Sequence, residues 1–322
     1  MLATVACDKA KSLAAKAATA VQEKITASAS SGKSAAPSAV DAELAKLVDQ
    51  TAEGTIFRKD LPFPTRLEVR TTSRVEMTGR VTQSSAFGKQ ASALNGTKTT
   101  RSKLTRDGNQ VRYVLEQSSF ELPQSATPEA GKKTPPNPSQ PPPPPNPPVT
   151  FRKTGNSWGP DKRVDFRAAA LAKELSPVFG QLLIENALAS RPLWFAKHRF
   201  KIGDQLVVSG ELLPMLLAGN AKGTVKMKLA AFENVEGHPC GVFSVTGDYS
   251  RKQTPDFEGT FSDETVTIQS GKIWLSLIYP VILKQEFDTI QTDSSGGQGG
   301  LVTRSQGAGK VAVTRAWTRL DP

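Results

Sequence analysis

Apolar and polar residues alternate with a period of two over residues 222–251, and no other feature of the chain constrains its fold as much. Side chains two residues apart project from the same face of a β-strand, so the pattern predicts one face against a core and one in solvent. The run is broken at Glu236-Gly237-His238-Pro239 and then resumes. The apolar positions are Val225, Met227, Leu229, Phe243, Val245 and Tyr249. We therefore predict an antiparallel hairpin with one buried face.

Similar patterns occur on both sides of this hairpin. The predicted strands and hairpins cover residues 54–81, 97–121, 150–158, 200–208, 260–283 and 311–320, with turns at Arg106-Asp107-Gly108-Asn109 and Ser270-Gly271. Residues 166–190 carry apolar side chains on more than one helical face, which predicts a largely buried helix, and residues 41–50 predict a short one. The predicted fold class is α+β, mainly antiparallel β. In it, a large curved sheet or half-barrel packs against one central helical segment.

Three stretches are too polar for this sheet, and they divide the chain. They are residues 1–50, 123–148, where Pro141 to Pro145 follow in succession, and 291–309, where glycine is frequent. Without them about 225 residues remain, which suits one large domain. We predict an Ala/Ser-rich N-terminal tether with weak helices over residues 1–52, followed by a single β-rich domain over residues 53–320. Two disordered or flexible loops interrupt that domain, a proline-rich one at 123–148 and a glycine-rich one at 291–309.

The net charge of +11 comes from 41 Lys and Arg against 30 Asp and Glu. A basic chain can bind nucleic acid, another polyanion or an anionic membrane surface. Here the cations fall singly on alternate strand positions, as at Arg66, Arg70 and Arg74, which is typical of the solvated face of a sheet. No run of five Lys or Arg is present, and aromatic residues make up 7 % of the chain. This pattern disfavours nucleic acid as a partner, and a cytoplasmic protein that binds a polyanion stays as an alternative.

Residues 2–8 form a short apolar run, Leu-Ala-Thr-Val-Ala-Cys-Asp, that closes on Cys7. This run resembles the lipobox of bacterial lipoproteins, in which small residues precede a cysteine that is diacylated. Val5 and Ala6 match that pattern, whereas Thr4 stands where leucine is usual, and the apolar segment is shorter than the ~7–15 residues of a signal peptide. Either the sequence begins inside a longer signal peptide, or the match is accidental and the protein is cytoplasmic. The resemblance implies a lipid on Cys7 that anchors the protein to a membrane of the cell envelope, on the periplasmic side.

Few residues of the sequence are candidates for catalysis or metal binding. His198 and His238 are the two histidines, and Cys240 follows His238 by two residues at the predicted hairpin turn. An enzyme that uses His238 and Cys240 as base and nucleophile is therefore an alternative. Two such residues are too few for a zinc site, and the sequence predicts no cofactor and no metal.

The predicted plan is similar to the half-barrel of bacterial lipoprotein carriers and related envelope lipoproteins, in which a curved sheet encloses an apolar cavity capped by helices. The resemblance covers about residues 54–320 and implies a non-enzymatic envelope protein that binds a hydrophobic ligand or a partner protein. The side chains that would line such a cavity are Trp194, Phe195, Leu216, Trp274, Leu277, Ile278 and Tyr279. Alternatively, the same residues form the core. The proline-rich loop is either a solvated loop or a docking segment for an aromatic groove of a partner protein.

Overall fold

A computed structural model of the 322-residue chain describes residues 39–58, 61, 64–121, 148–154, 157–160, 198–210, 213–217, 221–253, 261–279, 281–296 and 300–320. The helices within these residues are α1 (Ala39–Lys46) and α2 (Leu213–Leu217). The strands are β1 (Asp49–Thr51), β2 (Gly54–Ile56), β3 (Arg66–Ser85), β4 (Gly88–Asp107), β5 (Gln110–Glu121), β6 (Val149–Thr154), β7 (Ser157–Pro160), β8 (Gln205–Ser209), β9 (Lys222–Val235), β10 (His238–Gln253), β11 (Phe261–Ser276), β12 (Ile282–Gly296) and β13 (Val302–Arg319).

One antiparallel sheet of 11 strands dominates the structure, in the order β7-β6-β5-β4-β3-β13-β12-β11-β10-β9-β8. Neighbours in this sheet are consecutive in sequence except at the centre, where β3 pairs with β13. The sheet therefore consists of two meanders, β3 to β7 and β8 to β13, which are joined at the β3–β13 pair, here called the seam. Among the described strands, β7 and β8 are the edges of the sheet. This confirms the prediction of a mainly antiparallel β fold with one large sheet. The helix predicted at residues 166–190 lies outside the described residues, so its packing against the sheet stays a prediction.

The predicted central hairpin is confirmed by β9 and β10. Their ladder pairs His238 with Val235, so the turn between them is Glu236-Gly237. Val225, Met227 and Leu229 are buried on one face of β9, while the lysines between them are exposed. Alternation along β9 thus separates a core face from a solvent face, as predicted. In β10 the prediction of one buried face is wrong for residues 238–243, which are buried on both faces, Val242 included.

The buried apolar residues form two clusters. One is built on β8 to β12 and centres on three phenylalanines, Phe57, Phe200 and Phe243, with ring centroids 5.5–6.2 Å apart. The other joins the first residues of β3, such as Leu67, to the loop after β11 and to Trp317 near the end of β13. This second cluster lies at one end of the long strands, because Leu67 and Val69 are the two buried residues of β3 and the rest of that strand is half-buried or exposed.

The long strands continue well beyond this core. The β3–β4 ladder runs without a break from Arg66 and Asp107 to Ser85 and Gly88. At about 3.3 Å per residue, the end of β3 lies roughly 50 Å from Val69. In that outer half the residues of β3 and β4 are half-buried or exposed on both faces.

The hairpin predicted with a turn at Ser270-Gly271 is wrong. Strand β11 runs through this point with a register shift between Ile268 and Ser270, and the chain reverses direction only between the end of β11 at Ser276 and the start of β12 at Ile282. Gly271 is needed for packing, because a Cβ atom there would lie 2.4 Å from Cδ1 of Phe287. The backbone N–H groups of Ile278 and Tyr279 each donate to Ser276 Oγ at 3.2 Å, which stabilises the actual turn.

Other element boundaries differ from the predictions. Of the glycine-rich loop predicted at 291–309, residues 291–296 belong to β12 and 302–309 to β13. The helix predicted at 41–50 ends at Lys46, and its last residues form β1. Phe200, predicted at the start of a strand, makes an isolated bridge with Thr55 instead. The division into a tether and one domain stays a prediction.

Candidate functional site

A pocket of about 540 Å³ lies at the core end of the sheet, and we call it the Trp317 pocket. Its volume is in the range typical of small-molecule sites, ~300–1,000 Å³. Helix α1, the start of β3, the β9–β10 turn, the loop after β11 and the end of β13 meet there. The lining residues are Leu44, Pro64, Leu67, Glu236, Gly237, His238, Tyr279, Ala316, Trp317, Thr318 and Arg319.

Three rings form an aromatic wall in this pocket. Tyr279 stacks on Trp317 with ring centroids 6.3 Å apart and an interplanar angle of 21°. The His238 ring meets Trp317 edge-on, at 6.1 Å and 79°. All three side chains are at least nine-tenths buried, and such offset and edge-to-face pairs are favourable because the edge of one ring is attracted to the face of the next. The wall therefore offers a rigid aromatic surface.

Each ring is fixed by a different element. Trp317 sits on β13 opposite Val69 of β3, in the seam where the two meanders join. His238 is the first residue of β10, directly after the hairpin turn. Tyr279 is held in the turn whose backbone is bonded to Ser276 Oγ. The wall consequently forms only when both meanders and the turn after β11 are in place.

Two charged residues of opposite sign lie at the pocket's mouth, Glu236 and Arg319, and both are exposed. Glu236 has φ +49° and Gly237 has φ +81°, so both central residues of this hairpin turn are left-handed. Such turns favour Asn, Asp or Gly, and Glu236 is the one non-glycine residue with positive φ in the described part of the chain. Backbone strain of this kind is a frequent feature of binding sites.

His238 and Cys240 are close, but their arrangement is not that of a base and a nucleophile. The Cys240 Sγ donates to the backbone carbonyl oxygen of His238 at 3.3 Å, not to its ring. Burial raises the pKa of the fully buried Cys240 thiol far above its ordinary value, which disfavours the reactive thiolate. Over the described ranges, no group of three or more His, Cys, Asp or Glu side chains is placed to hold a metal ion.

The residues predicted to line a cavity are distributed over several places. Tyr279 lines the Trp317 pocket, and Trp274 and Ile278 belong to the same core cluster. Leu216 and Leu277 are buried in the other cluster. Trp194 and Phe195 lie outside the described residues, as do Cys7 and residues 122–147 of the proline-rich stretch.

Sequence reasoning did not assign Trp317, His238, Leu44 or Leu67 to a cavity. Trp317 was visible only as part of a closing strand, and Leu44 only as the apolar face of a short helix. These residues come together through the β3–β13 seam and the packing of α1 on β10, and neither has a signature in local spacing.

A second concavity of about 400 Å³ lies on the sheet surface and is lined mainly by charged side chains. Its Arg74 pairs with Glu76 at 2.9 Å. Nearby, Glu68 accepts from both Lys103 and Arg70, and these two hydrogen bonds lower its pKa. Several of the cations on alternate strand positions are therefore neutralised by adjacent carboxylates, which favours the interpretation of a solvated sheet face over a stripe for a polyanion.

Within the described residues, no helix combines the length and apolar character needed to cross a membrane.

Comparisons with known proteins leave the family of this chain open. No family model matches it, and no curated protein does. Among solved structures, Neisserial surface protein A is similar at 8 % identity, over 77 % of this chain and 96 % of that one, with a TM-score of 0.15. A DUF1329 family protein from Desulfovibrio piger is similar at 6 % identity, over 92 % and 91 % of the two chains, with a TM-score of 0.12. Superpositions this weak carry no argument about fold or role, so the function must be argued from the geometry of the chain itself.

Proposed function

We propose that this protein is a non-enzymatic binding protein of the bacterial cell envelope, and that it holds a hydrophobic ligand in the Trp317 pocket. The observation that carries the proposal is the pocket of about 540 Å³ with an aromatic wall of Trp317, Tyr279 and His238. Leu44 of α1 and Leu67 of β3 supply further apolar lining.

The pocket's chemistry favours an amphiphile. A flat or acyl group gains by leaving water for the aromatic and leucine surface, since apolar burial is worth about 25 cal/mol per Å². A polar end group would stay at the mouth, where Arg319 and Glu236 offer a cation for an acidic group and an acceptor for a donor. The ligand class is therefore a lipid-like molecule with a polar head.

The envelope location is proposed from the sequence alone. Cys7 and the small residues before it resemble a lipobox, and the Ala/Ser-rich stretch of about 30 residues between Cys7 and α1 would let the β-rich domain stand off the membrane. A protein that carries lipid-like ligands is expected to work beside a membrane. The pocket proposal does not depend on this anchor.

The test is a titration of the full chain, carrying Cys7→Ser to prevent lipidation, with the apolar fluorescent probe N-phenyl-1-naphthylamine. We expect one saturable site. Trp317→Ala should weaken binding about tenfold, because it removes the central ring of the wall. Leu44→Trp should also weaken it, because the larger side chain would occupy part of the pocket that Leu44 lines.

Trp274→Phe is the matched control, because Trp274 is buried in the same core cluster but does not line the pocket. Far-UV circular dichroism shows whether each variant is folded. The proposal fails if both folded pocket variants bind the probe as tightly as the parent chain, or if Trp274→Phe weakens binding as much as Trp317→Ala.

A further inference from the structure

The turn between β3 and β4 presents a fully exposed aromatic side chain. Phe87 is 101 % exposed and lies beyond the last pair of the ladder, Ser85 with Gly88. Its backbone N–H donates to Ser85 Oγ at 3.2 Å, so the turn itself is ordered by a polar contact. Tight turns favour Gly, Asn, Asp, Ser and Pro, and a phenylalanine contributes nothing to this turn geometry.

A second exposed apolar residue stands beside this turn. The seam ladder pairs Val302 with Ser84, which places Leu301 next to the end of β3, and Leu301 is 46 % exposed. Single exposed apolar residues are ordinary on protein surfaces, but two of them on adjacent strand ends form a patch. We call residues 84–89 and 301–304 the Phe87 tip.

The charge of the Phe87 tip differs from that of the rest of the sheet. Residues 77–97 and 300–309 contain no Asp or Glu, while Arg80, Lys89 and Arg304 are all exposed. Closer to the core, several cations have carboxylates beside them, as Arg74 has Glu76 and Lys103 has Glu68. The nearest carboxylate on the next strand, Asp293, accepts from Ser305 Oγ at 2.8 Å.

The position of the tip also suits contact with an extended surface. It lies roughly 50 Å along β3 from the last buried residue of that strand, Val69. The Trp317 pocket is at the other end, because Trp317 pairs with Val69. A flat surface could therefore meet the tip without touching the core or closing the pocket.

We propose that the Phe87 tip docks on the surface of an anionic lipid bilayer. Phe87 and Leu301 enter the interfacial region, where exposed apolar side chains gain by leaving water. Lys89 and Arg304 lie on the tip, at the level of the lipid phosphates, which attract them electrostatically. Arg80 lies roughly 15 Å farther along β3 and adds only longer-range attraction. The contact is peripheral, and it is independent of the ligand in the Trp317 pocket and of the lipid on Cys7.

The experiment is vesicle flotation of the full chain carrying Cys7→Ser, so that no acyl chain contributes. Vesicles of phosphatidylcholine with about a third phosphatidylglycerol are compared with phosphatidylcholine alone. We expect binding to the anionic vesicles that decreases as salt is raised, because exposed charges are screened. Phe87→Ser should weaken this binding about tenfold, and Lys89→Gln with Arg304→Gln should abolish the preference for anionic lipid.

Ile202→Ser is the matched control, since Ile202 is also an exposed apolar residue beside a lysine, 57 % exposed next to Lys201. It lies away from the tip, because the backbone N–H of its neighbour Gly203 donates to the backbone carbonyl oxygen of Leu229 in the core. It should bind vesicles like the parent chain. The proposal is overturned if the parent chain does not float with anionic vesicles, which is the result expected if the tip docks on a protein instead. It is also overturned if Phe87→Ser floats as well as the parent chain. Probe binding in the Trp317 pocket should be unchanged in Phe87→Ser, which separates this test from that of the ligand site.

Discussion

Replacing Gly241 by alanine should destabilise the protein, because the new methyl group has no room. Gly241 is buried in β10, and a Cβ atom there would lie 2.5 Å from Cζ of Phe57 and 3.2 Å from Cδ1 of Leu229. Carbon atoms in contact are normally about 3.5–4.0 Å apart, so the Phe57 ring would have to move by roughly 1 Å. Phe57 cannot do so freely, since it packs between Phe200 and Phe243, each 5.5 Å away.

The magnitude follows from two opposing effects. Overpacking a core costs about 1–3 kcal/mol. Alanine also restricts the unfolded chain, which returns about 0.4–1 kcal/mol. The net loss should be about 1–2 kcal/mol, or a fall in Tm of about 2–8 °C for a chain of this size. Urea unfolding followed by tryptophan fluorescence measures it as a shift in the transition midpoint.

A double-mutant cycle identifies the cause. Phe57→Leu removes the ring atoms that the new methyl group would meet, so Gly241→Ala in the Phe57→Leu background should cost less than about 0.5 kcal/mol. The two sites should therefore show a coupling energy of about 1 kcal/mol. An equal cost of Gly241→Ala in both backgrounds, or a gain in stability in the parent, would refute the assigned contact.

Two further predictions concern single side chains. Cys240 is buried, and burial raises the pKa of its thiol. Iodoacetamide should therefore modify Cys240 at least 100-fold more slowly in the folded protein than in urea, as measured by mass spectrometry. Equal rates of modification would restore the alternative of an enzyme that uses this thiol. Asp204 accepts from the Lys201 backbone N–H at 2.9 Å and from His198 Nε2 at 3.1 Å, and these contacts, the first more than the second, lower its pKa below the ordinary 3.8. A lowered carboxyl pKa stabilises the fold above the ordinary value and stops doing so as the pH falls through the folded value. Asp204→Asn should therefore be less stable than the parent by about 0.5 kcal/mol at pH 6, and this difference should shrink as the pH is lowered through the folded-state pKa of Asp204. Urea unfolding that shows the same difference at every pH below the ordinary pKa would contradict this.

The parts of the fold that were predictable are those where the sheet has one buried and one solvated face. There the period of two is strong, as in β9, and the turn residues add their own signal, as Gly237 and Gly108 do with positive φ. Under these conditions local sequence and tertiary burial demand the same residues at the same positions.

The first half of β4 and the residues around the β12–β13 turn were not predictable. They consist largely of Ala, Ser, Gly, Gln and Thr, and in the structure they are half-buried or exposed on both faces. A strand without a buried face needs no alternation of apolar and polar residues, so its sequence resembles that of a flexible loop. At Ser270-Gly271 the reason is different, because a glycine required for close packing against Phe287 has the same sequence pattern as a turn glycine.

The Trp317 pocket could not be derived from sequence for a topological reason. Leu44, His238 and Trp317 lie in three distant parts of the chain, and only the order of strands brings them to one place. Residue types alone would assign a tryptophan or leucine to the core, which is correct as far as burial is concerned.

The seam between β3 and β13 has a consequence for the order in which the chain acquires its structure. Each meander can form from neighbours in sequence, as hairpins do, but the seam pairs Leu67 with Arg319 and Ser84 with Val302 and so closes the longest loop in the molecule. Until synthesis reaches β13, β3 offers an unpaired edge of 20 residues to any strand it meets. We therefore expect the joining of the two meanders to be a slow, late step of folding, and the nascent chain to be most prone to aggregate in the interval before β13 emerges from the ribosome.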